Sequence, residues 1–268
     1  MPWDAGHRTM CALSLPSRRS TLPSPALESV RLTIVGGGAT TVRVARFERA
    51  QFGIQVVAIE PCSTVLDWCA ANDAEHAIVG GFYMRPGGPP LGDLRIGGSP
   101  LPTQPFDSPW GEVRACVHSD GERVALAPRR ELPAAPTGDL LQAGPMLVAD
   151  GRSLIRPGED LEGFSAGSRQ FDSDITAGRY PRAALGISDD HLVAVVSEGR
   201  ADDEAGLSMG ELAEAMLGLG VSAAINLDGG GSASLVVDGV LVNTPREEHG
   251  RELVGGREVA TALRFVAH

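Results

Sequence analysis

The sequence predicts an α+β fold: a mixed, mainly antiparallel sheet with two or three helices in a single domain. Short apolar runs that alternate with polar residues are separated by glycine or aspartate–glycine turns, which is typical of β-hairpins. Only two clear segments combine helical periodicity with a capping residue. Strand and helix patterns do not alternate regularly along the chain, so a doubly wound parallel sheet is not expected.

The first predicted element follows an amino-terminal leader. Residues 1–29 are rich in proline and serine and are expected to be disordered or loosely attached to a domain that spans residues 30–268. From Val30, two alternating runs flank the glycines at 36–38, which predicts a hairpin. These glycines lack the following helix and the third glycine of a dinucleotide fingerprint, so no nucleotide cofactor is expected there.

A strand, a helix and a second strand are predicted next. The run FGIQVVAIE predicts the first strand, and Ser63 and Thr64 precede a helical stretch, TVLDWCAAN. The run HAIVGGFY predicts a strand that breaks at Gly80 and Gly81. Residues 85–111 are dense in proline and glycine and are expected to form one long loop.

The remaining elements are hairpins, one helix and a closing strand. EVRACVHS and ERVALAP predict two strands, and turns are expected at Asp150-Gly151 and across Asp189-Asp190. Ser208 and Glu211 form a capping-box pattern before a helix that ends at Gly220. AAINLDGGGSASLVVDGVLVN then predicts a strand, a glycine turn and a hairpin, and residues 258–266 the last strand.

Charge and composition exclude several classes of protein. The chain contains no lysine, so all 23 basic side chains are arginines. Schiff-base enzymes, Walker A nucleotidases and protein kinases all need a lysine amine and are therefore excluded. The 34 acidic side chains give a net charge of −11, which argues against a nucleic-acid partner. A phosphate-bearing ligand would have to be held by a local arginine cluster.

No cofactor, metal or membrane segment is predicted. The four cysteines (Cys11, Cys62, Cys69 and Cys116) show no metal-ligand spacing and are expected to be reduced, and the six histidines show none either. No apolar run approaches the ~20 residues that cross a bilayer. The apolar patch near the amino terminus is too short for a signal peptide, so a cytoplasmic location is expected. An extracellular location would follow if the amino terminus is misassigned.

The densest polar signal is NLDGGGSAS, residues 226–234. Asn226 and Asp228 share one face of a strand end. The three glycines that follow would let backbone N–H groups approach a ligand, as an anion-binding nest requires, although a simple glycine turn explains the pattern too. Ser232 lacks the GxSxG context of a serine hydrolase.

Charged residues at strand ends form a second signal. Glu198 and Arg200 follow the apolar run VAVVS, Arg182 precedes a strand, and Arg257 precedes the last one. Guanidinium groups offer planar donors that suit phosphate, whereas the alternative is a set of solvated surface charges.

The two glycine-rich stretches, at residues 80–81 and 229–230, show an internal similarity that we call the echo. Each follows a serine-capped helix and a short strand. If the two units are related, Gly80 and Gly81 would face the same cleft as Gly229 and Gly230. Coincidence in an alanine- and glycine-rich chain explains the echo equally well.

Seven blocks of the sequence resemble the phosphodiester glycosidase family. NLDGGGSAS is similar to the family's NLDGGGSS, and six further blocks match in order over residues 42–266: GGFY, AGPMLV, RYPRAALGI, VSEGR, LSMGELAEAM and REVATAL. The chain departs from the family at six positions: Val79 replaces an asparagine, Glu198 an aspartate, Ala183 a threonine, Ala233 a serine, and Thr261-Ala262 a serine–asparagine pair. The change at Val79 removes an amide expected to contact the sugar.

The resemblance implies hydrolysis of a sugar-1-phosphodiester, carried by a small molecule or a glycan, to a free sugar and a phosphate monoester. Asp228 would be the nucleophile or general base and Glu198 the partner carboxylate, with their separation deciding between retention and inversion. The resemblance further implies a set of substrate-binding residues, namely Arg182, Arg200, Arg257, Asn226, Gly80, Gly81, Phe82, Tyr83, Gly144, Gly229, Gly230, Gly231 and Ser232.

Two other functions stay open at this point. One is a non-catalytic glycan- or phosphate-binding protein on the same scaffold. The other is a phosphoesterase that cuts the P–O bond, with a metal at Asp228.

Overall fold

The computed structural model describes residues 23–164 and 178–268. Within them lie the helices α1 (Val65–Ala71), α2 (Trp110–Val113) and α3 (Met209–Gly218). The same residues form strands β1 (Ala26–Thr33), β2 (Ala39–Glu48), β3 (Phe52–Ser63), β4 (Ala77–Val79), β5 (Leu94–Ile96), β6 (Ser99–Pro100), β7 (Ala115–Ser119), β8 (Val124–Pro128), β9 (Asp139–Gln142), β10 (Met146–Ala149), β11 (Arg152–Ser153), β12 (Arg182–Ile187), β13 (His191–Ser197), β14 (Ala223–Asn226), β15 (Leu235–Val237), β16 (Val240–Leu241) and β17 (Val259–Ala267).

The strands form three sheets rather than the single sheet expected. A seven-stranded sheet has the order β1-β2-β13-β12-β14-β10-β11, and two five-stranded sheets have the orders β16-β15-β4-β17-β3 and β6-β5-β9-β7-β8. Each ladder between these strands is antiparallel. Among the described residues, parallel pairing occurs only in an isolated bridge between Leu91 and Gln104. The α+β class is confirmed.

The predicted hairpins form where turn residues allow them. Asp150 and Gly151 have φ of 49° and 66° between β10 and β11, as a tight two-residue hairpin turn requires. β12 and β13 pair across the turn at Asp189. In the first hairpin, β1 begins at Ala26, where it already pairs with β2. The other part of the predicted leader, residues 1–22, lies outside the described residues.

Both predicted helices form with their caps. The Thr64 hydroxyl accepts a hydrogen bond from the Asp67 N–H at the start of α1. Ser208 and Glu211 complete a reciprocal capping box on α3, and Gly220, with φ of 80°, follows its last turn. None of the helices in the described ranges combines the length and the apolar character that a membrane span needs.

The stretch at 85–111 is not one long loop. It contains β5, β6 and α2, and β5 pairs with β9 through Leu94 and Leu141. Elements of two to four residues are too short to show a hydrophobic period, so the sequence gives no signal of them. Leu91 and Leu94 are buried and fix this stretch to the core.

The antiparallel order of β13, β12 and β14 brings three chain segments together. Arg182, at the start of β12, lies opposite Ser197 at the end of β13. Asn226, at the end of β14, lies opposite Ala184 on the other side of β12. The segments that follow Ser197 and Asn226 therefore leave the sheet beside the segment that enters at Arg182.

The second sheet meets this point. The backbone N–H of Asp228 donates to the Gly80 carbonyl, 3.0 Å away, immediately after β4. The Arg257 N–H, just before β17, donates to the Gly231 carbonyl at 3.2 Å. Five chain segments, all at strand ends, thus surround one place.

Candidate active site

A cavity of about 970 Å³ opens where these strand ends converge. Its lining includes five arginines and five carboxylates: Arg85, Arg182, Arg200, Arg246, Arg257, Asp202, Asp228, Glu247, Glu248 and Glu252. The protein as a whole has a net charge of −11, whereas arginines and carboxylates are equal in number here, so the cavity is richer in guanidinium groups than the rest of the chain. A cavity of this volume is large enough for a drug-sized ligand.

The structure places nine of the sequence-predicted site residues on the cavity wall: Asp228, Arg182, Arg200, Arg257, Asn226, Phe82, Tyr83, Gly229 and Gly230. The other six are outside its lining: Glu198, Gly80, Gly81, Gly144, Gly231 and Ser232. The two groups are described in turn.

Asp228 presents its carboxylate to the cavity from the segment after β14. Its Oδ1 accepts the Gly229 N–H at 2.9 Å, and the Ser232 hydroxyl also bonds to the carboxylate. Burial raises the pKa of Asp228 above its ordinary value of 3.8, although the Ser232 hydroxyl, Arg257 and the Gly229 N–H favour the charged form. The carboxylate is therefore a stronger base than an exposed aspartate.

Glu247 connects two of the cavity arginines. Its Oε1 accepts hydrogen bonds from Nε of Arg257, at 2.9 Å, and from Nη2 of the same guanidinium. Its Oε2 lies 3.7 Å from Nη1 of Arg200. Burial opposes ionisation of Glu247, but the bonds and charge of Arg257 outweigh it and lower the pKa of the carboxyl. Glu247 thus holds both guanidinium groups in fixed positions.

Arg257 also reaches the catalytic candidate through a hydroxyl. Its Nη1 donates to Ser232 Oγ at 3.3 Å, and Ser232 in turn bonds to Asp228. Ser232 is fully buried. It therefore acts from behind the cavity wall, where it orients the two charged groups.

Arg182 forms a buried part of the wall. Its Nε donates to the Leu207 carbonyl at 2.9 Å and its Nη2 to the Gly178 carbonyl at 2.9 Å. Burial lowers the pKa of Arg182 to about 10, so it remains charged at neutral pH. The centroid of the Tyr180 ring lies 5.3 Å from Cζ of Arg182 and 5.5 Å from Cζ of Arg200.

Two further aromatic residues, Phe82 and Tyr83, line the cavity. The Tyr83 hydroxyl donates to the Glu258 carbonyl at 2.6 Å, and burial together with the charge of Asp228 raises the pKa of Tyr83 to about 12. Phe82 packs edge-on against Phe164, with ring centroids 5.5 Å apart. The two rings therefore give this part of the cavity an apolar surface.

Glu198 is not placed as predicted. Its carboxylate, 5% exposed, accepts the Thr244 N–H at 3.1 Å and lies 3.5 Å from Nη1 of Arg246. Arg43 approaches its other side, at 4.0 Å. Because β13 lies inside the sheet, between β2 and β12, its end is buried and is not an open sheet edge. Glu198 holds Arg246 rather than facing the cavity.

The triple glycine does not form the expected anion nest. The Gly229 N–H donates to Asp228 Oδ1, and the Gly230 N–H donates to the Pro181 carbonyl at 2.8 Å. Two of the three donors are therefore used within the protein. Glycine is required here for conformation and for space: Gly230 has a φ of 59°, a Cβ at Gly229 would lie 2.9 Å from the Pro181 carbonyl oxygen, and one at Gly231 would lie 2.9 Å from Arg257 Nη2. The glycines let the arginine, rather than the ligand, approach the backbone.

The other predicted glycines also serve close packing. A Cβ at Gly81 would lie 2.8 Å from the Gln142 carbonyl oxygen, and one at Gly144 would lie 2.5 Å from Glu162 Oε2. The echo between the two glycine pairs does bring them together, because Asp228 bonds to Gly80. Their strands, however, belong to different sheets.

Replacement of Gly80 by alanine is expected to destabilise the fold by about 1–3 kcal/mol, a typical cost of overpacking. A Cβ at this position would lie 2.4 Å from Thr261 Oγ1 and 2.8 Å from the Thr261 carbonyl carbon. Chemical denaturation measures the loss. Gly218→Ala on α3 is the control, since nothing lies within 4 Å of its Cβ, and it should leave stability unchanged or raise it by up to about 1 kcal/mol. Equal effects of the two substitutions would contradict the packing role of Gly80.

Two departures from the family pattern contact each other. Val79 on β4 lies directly opposite Ala262 on β17, and both are fully buried in the largest apolar cluster. Neither lines the cavity. The side chain at position 79 therefore packs in the core, which corrects the expectation that a residue there contacts the sugar.

Several cavity residues carry no clear sequence signal. Arg246, Glu247 and His249 lie in the polar stretch TPREEHG, which resembles any solvated loop, and Arg85 lies within a proline-rich stretch. Tyr180 lies two residues before the start of β12. The one available hint is the position of the polar loop just before Arg257.

The described residues contain no group of three or more histidine, cysteine, aspartate or glutamate side chains arranged to hold a metal ion. Cys62, Cys69 and Cys116 are free thiols, and the last two are buried. Cys11 lies outside the described residues.

Comparison with known proteins identifies relatives of this arrangement. The family model for phosphodiester glycosidases matches residues 72–266. No curated protein sequence matches the chain significantly.

Three solved structures share the fold. The catalytic domain of zebrafish N-acetylglucosamine-1-phosphodiester alpha-N-acetylglucosaminidase, described as auto-inhibited by its pro-peptide, is 17% identical with a TM-score of 0.69, over 92% of this chain and 84% of that one. A hypothetical protein from Synechocystis is 17% identical with a TM-score of 0.62, over 91% of this chain and 62% of that one. A putative exported protein from Burkholderia pseudomallei K96243 is 16% identical with a TM-score of 0.63, over 86% of this chain and 74% of that one. At these identities the likeness establishes the fold alone.

Proposed function

Because the chain belongs to the phosphodiester glycosidase family, we propose that it hydrolyses the bond between the anomeric carbon and oxygen of a sugar-1-phosphodiester. The products are a free sugar and a phosphate monoester. The observation that carries the proposal is that Asp228 and the arginines Arg182, Arg200 and Arg257 line one cavity. A carboxylate beside several guanidinium groups suits a substrate whose departing group is anionic.

The arginines bind and stabilise the departing phosphate. A phosphodiester carries one negative charge, and a second develops as the C1–O bond breaks and its electron pair moves to the phosphate. Arg257 and Arg200 are already fixed by Glu247, so they need no reorganisation as this charge develops. Guanidinium donors match phosphate oxygens in pairs.

Asp228 acts on the sugar side of the same bond. As the phosphate leaves, positive charge develops on the anomeric carbon and the ring oxygen, and a carboxylate beside them lowers the barrier. Either Asp228 attacks C1 and water then hydrolyses the glycosyl ester, or Asp228 removes a proton from the water that attacks. The first course retains the anomeric configuration and the second inverts it.

A panel of sugar-1-phosphodiesters tests this proposal. Incubation with the protein should release free sugar and phosphate monoester from at least one member of the panel. Uncharged alkyl glycosides of the same sugars serve as controls and should not be hydrolysed, because they offer nothing to the arginines. Binding of the diesters without turnover would overturn the proposal and favour a non-catalytic glycan- or phosphate-binding protein.

The activity should fall in acid as Asp228 becomes protonated. Burial raises the pKa of Asp228, so the midpoint of this fall should lie above pH 3.8. Ser232→Ala removes a hydrogen bond that stabilises the carboxylate and should move the midpoint upward by a further ~0.5–1 pH unit. The measurement is kcat/KM against pH. Ser222→Ala, which removes a hydroxyl bonded to the remote Ile187 carbonyl, should leave the midpoint in place; a downward shift in Ser232→Ala would contradict the assignment.

A further inference from the structure

The side-chain oxygen of Asn226 is a buried acceptor that lacks a donor. Asn226 is 2% exposed and lines the floor of the cavity. Its Oδ1 has no hydrogen-bond partner among the described residues. Buried polar atoms in native proteins are nearly always paired, so this exception, in a residue that lines the cavity, needs an explanation.

The orientation of this amide is fixed by its other contacts. Nδ2 of Asn226 donates to the Gly144 carbonyl at 2.9 Å. If the amide were rotated by 180°, its oxygen would face the Gly144 carbonyl oxygen, and two acceptors would then be in contact. The nitrogen therefore faces Gly144, and the oxygen is the atom without a partner. The backbone is held as well, because the Asn226 N–H donates to the Pro145 carbonyl and its carbonyl accepts the Gly144 N–H.

A buried carboxylate braces the chain that holds Asn226. Glu162 Oε1 accepts the Met146 N–H at 2.6 Å and Oε2 accepts the Ala115 N–H at 2.8 Å. These bonds fix the chain on one side of Gly144 and Pro145. The unpaired oxygen of Asn226 is therefore held in one place before any ligand arrives.

Asn226 lies beside the proposed catalytic carboxylate. Asn226 and Asp228 are two residues apart at the end of β14, where side chains two residues apart share a face, and both line the cavity. If Asp228 acts at C1, the nearest donor that a sugar ring offers is the substituent on C2. Hydrogen bonds to this position strengthen in the transition state of glycoside hydrolysis.

We propose that Asn226 Oδ1 accepts a hydrogen bond from a donor on C2 of the sugar, either a hydroxyl or the N–H of an acylated amine. This proposal rests on the function proposed above and adds a requirement on the substrate. Asn226 is then the residue that determines specificity at C2. A sugar without a donor there leaves the oxygen buried and unpaired, and the site rejects it.

Three phosphodiesters that differ only at C2 test the proposal: 2-hydroxy, 2-acetamido and 2-deoxy sugars with the same alcohol. Because 2-deoxy sugars are intrinsically more reactive, each kcat/KM is divided by the rate of the uncatalysed reaction. The 2-deoxy substrate should then be at least ~100-fold worse than the better of the other two. The ratio between the hydroxy and acetamido arms identifies which donor the site takes.

Asn226→Ala should reduce this discrimination to within a few-fold. Asn243→Ala is the matched control, because Asn243 is also buried but both ends of its amide are paired, with the Ala233 carbonyl and the Leu235 N–H. The control should keep the discrimination whatever stability it loses. A native protein that treats 2-deoxy and 2-hydroxy substrates alike would overturn the role of Asn226, as would unchanged discrimination in Asn226→Ala.

Binding to the native protein keeps the proposal falsifiable if Asn226→Ala does not fold. Uncleavable phosphonate analogues of the 2-hydroxy and 2-deoxy diesters should differ in affinity by at least ~10-fold, which equal affinities would contradict. A protein that neither cleaves nor binds any of these compounds would instead refute the proposed function itself. The two failures are therefore distinct.

Discussion

Replacement of Asp228 by asparagine is expected to lower kcat for hydrolysis of a sugar-1-phosphodiester by about 10³-fold or more. The amide can still accept the Gly229 N–H and the Ser232 hydroxyl through its oxygen, so the local structure should persist. It can neither attack the anomeric carbon nor take a proton from water. The loss should appear in kcat, measured at saturating substrate and neutral pH.

The stability of the same variant separates catalysis from folding. Because the pKa of Asp228 is raised in the folded protein, the proton it binds stabilises the fold below pH 3.8, and this contribution is lost as the pH rises through the folded value. At neutral pH the native protein therefore holds an unfavourable, partly desolvated charge at this position. Asp228→Asn removes that charge and should be at least as stable as the native protein in urea denaturation at pH 7.

Asp189→Asn is the matched control for activity. Asp189 is exposed at the turn between β12 and β13, remote from the cavity lining, and the same change there should leave kcat unaltered. Full activity in folded Asp228→Asn would remove Asp228 from the mechanism. A large loss in both variants would show that the assay reports something other than the site.

Replacement of Arg257 by leucine is expected to lower kcat/KM by about 10²–10³-fold, the loss typical of a group that stabilises developing charge. Arg257 is held by Glu247 and is linked through Ser232 to Asp228, the proposed catalytic residue. Its loss removes a phosphate donor and leaves Arg200, 3.7 Å away, as the remaining ion-pair partner of Glu247 among the described residues. Steady-state kinetics with the best diester of the panel measures the effect.

The lysine variant shows whether charge alone is sufficient. Arg257→Lys keeps the positive charge but cannot bond to Glu247, Ser232 and a phosphate together, so it should recover only part of the lost activity. Arg156→Leu is the control, because the Arg156 side chain is 70% exposed, and both Arg156 and its ion-pair partner Glu159, at 3.8 Å, are absent from the cavity lining. Native activity in Arg257→Leu would show that the phosphate is not held where we place it.

Much of the fold follows from local sequence rules. Tight turns such as Asp150-Gly151 and the capping box of Ser208 and Glu211 depend on neighbouring residues only, so they can be recognised without a structure. The division into three sheets depends on contacts between distant residues, for example Val79 with Ala262, which no local pattern reveals. The short strands at 94–100 are equally invisible, because their identity comes from pairing with β9 and with each other.

In the candidate site, too, local sequence patterns identify individual residues but not the contacts between distant segments. Asp228, Arg182 and Arg257 could be predicted because charged residues at strand ends are unusual in an otherwise apolar context. Glu198 meets the same description, yet it is buried against Arg246, and only the position of β13 inside the sheet decides this. The charge that does pair with Arg257 belongs to Glu247, in a loop whose approach to the strand ends is a tertiary contact.

Hydrolysis in ¹⁸O-labelled water tests the central claim most directly. If Asp228 and the arginines break the bond at the anomeric carbon, the label should enter the free sugar at C1 and be absent from the phosphate monoester. Mass spectrometry of both products, quenched before the sugar exchanges its anomeric oxygen with water, gives the distribution. Label in the phosphate would show that the P–O bond is cut, and the account of this site would be wrong.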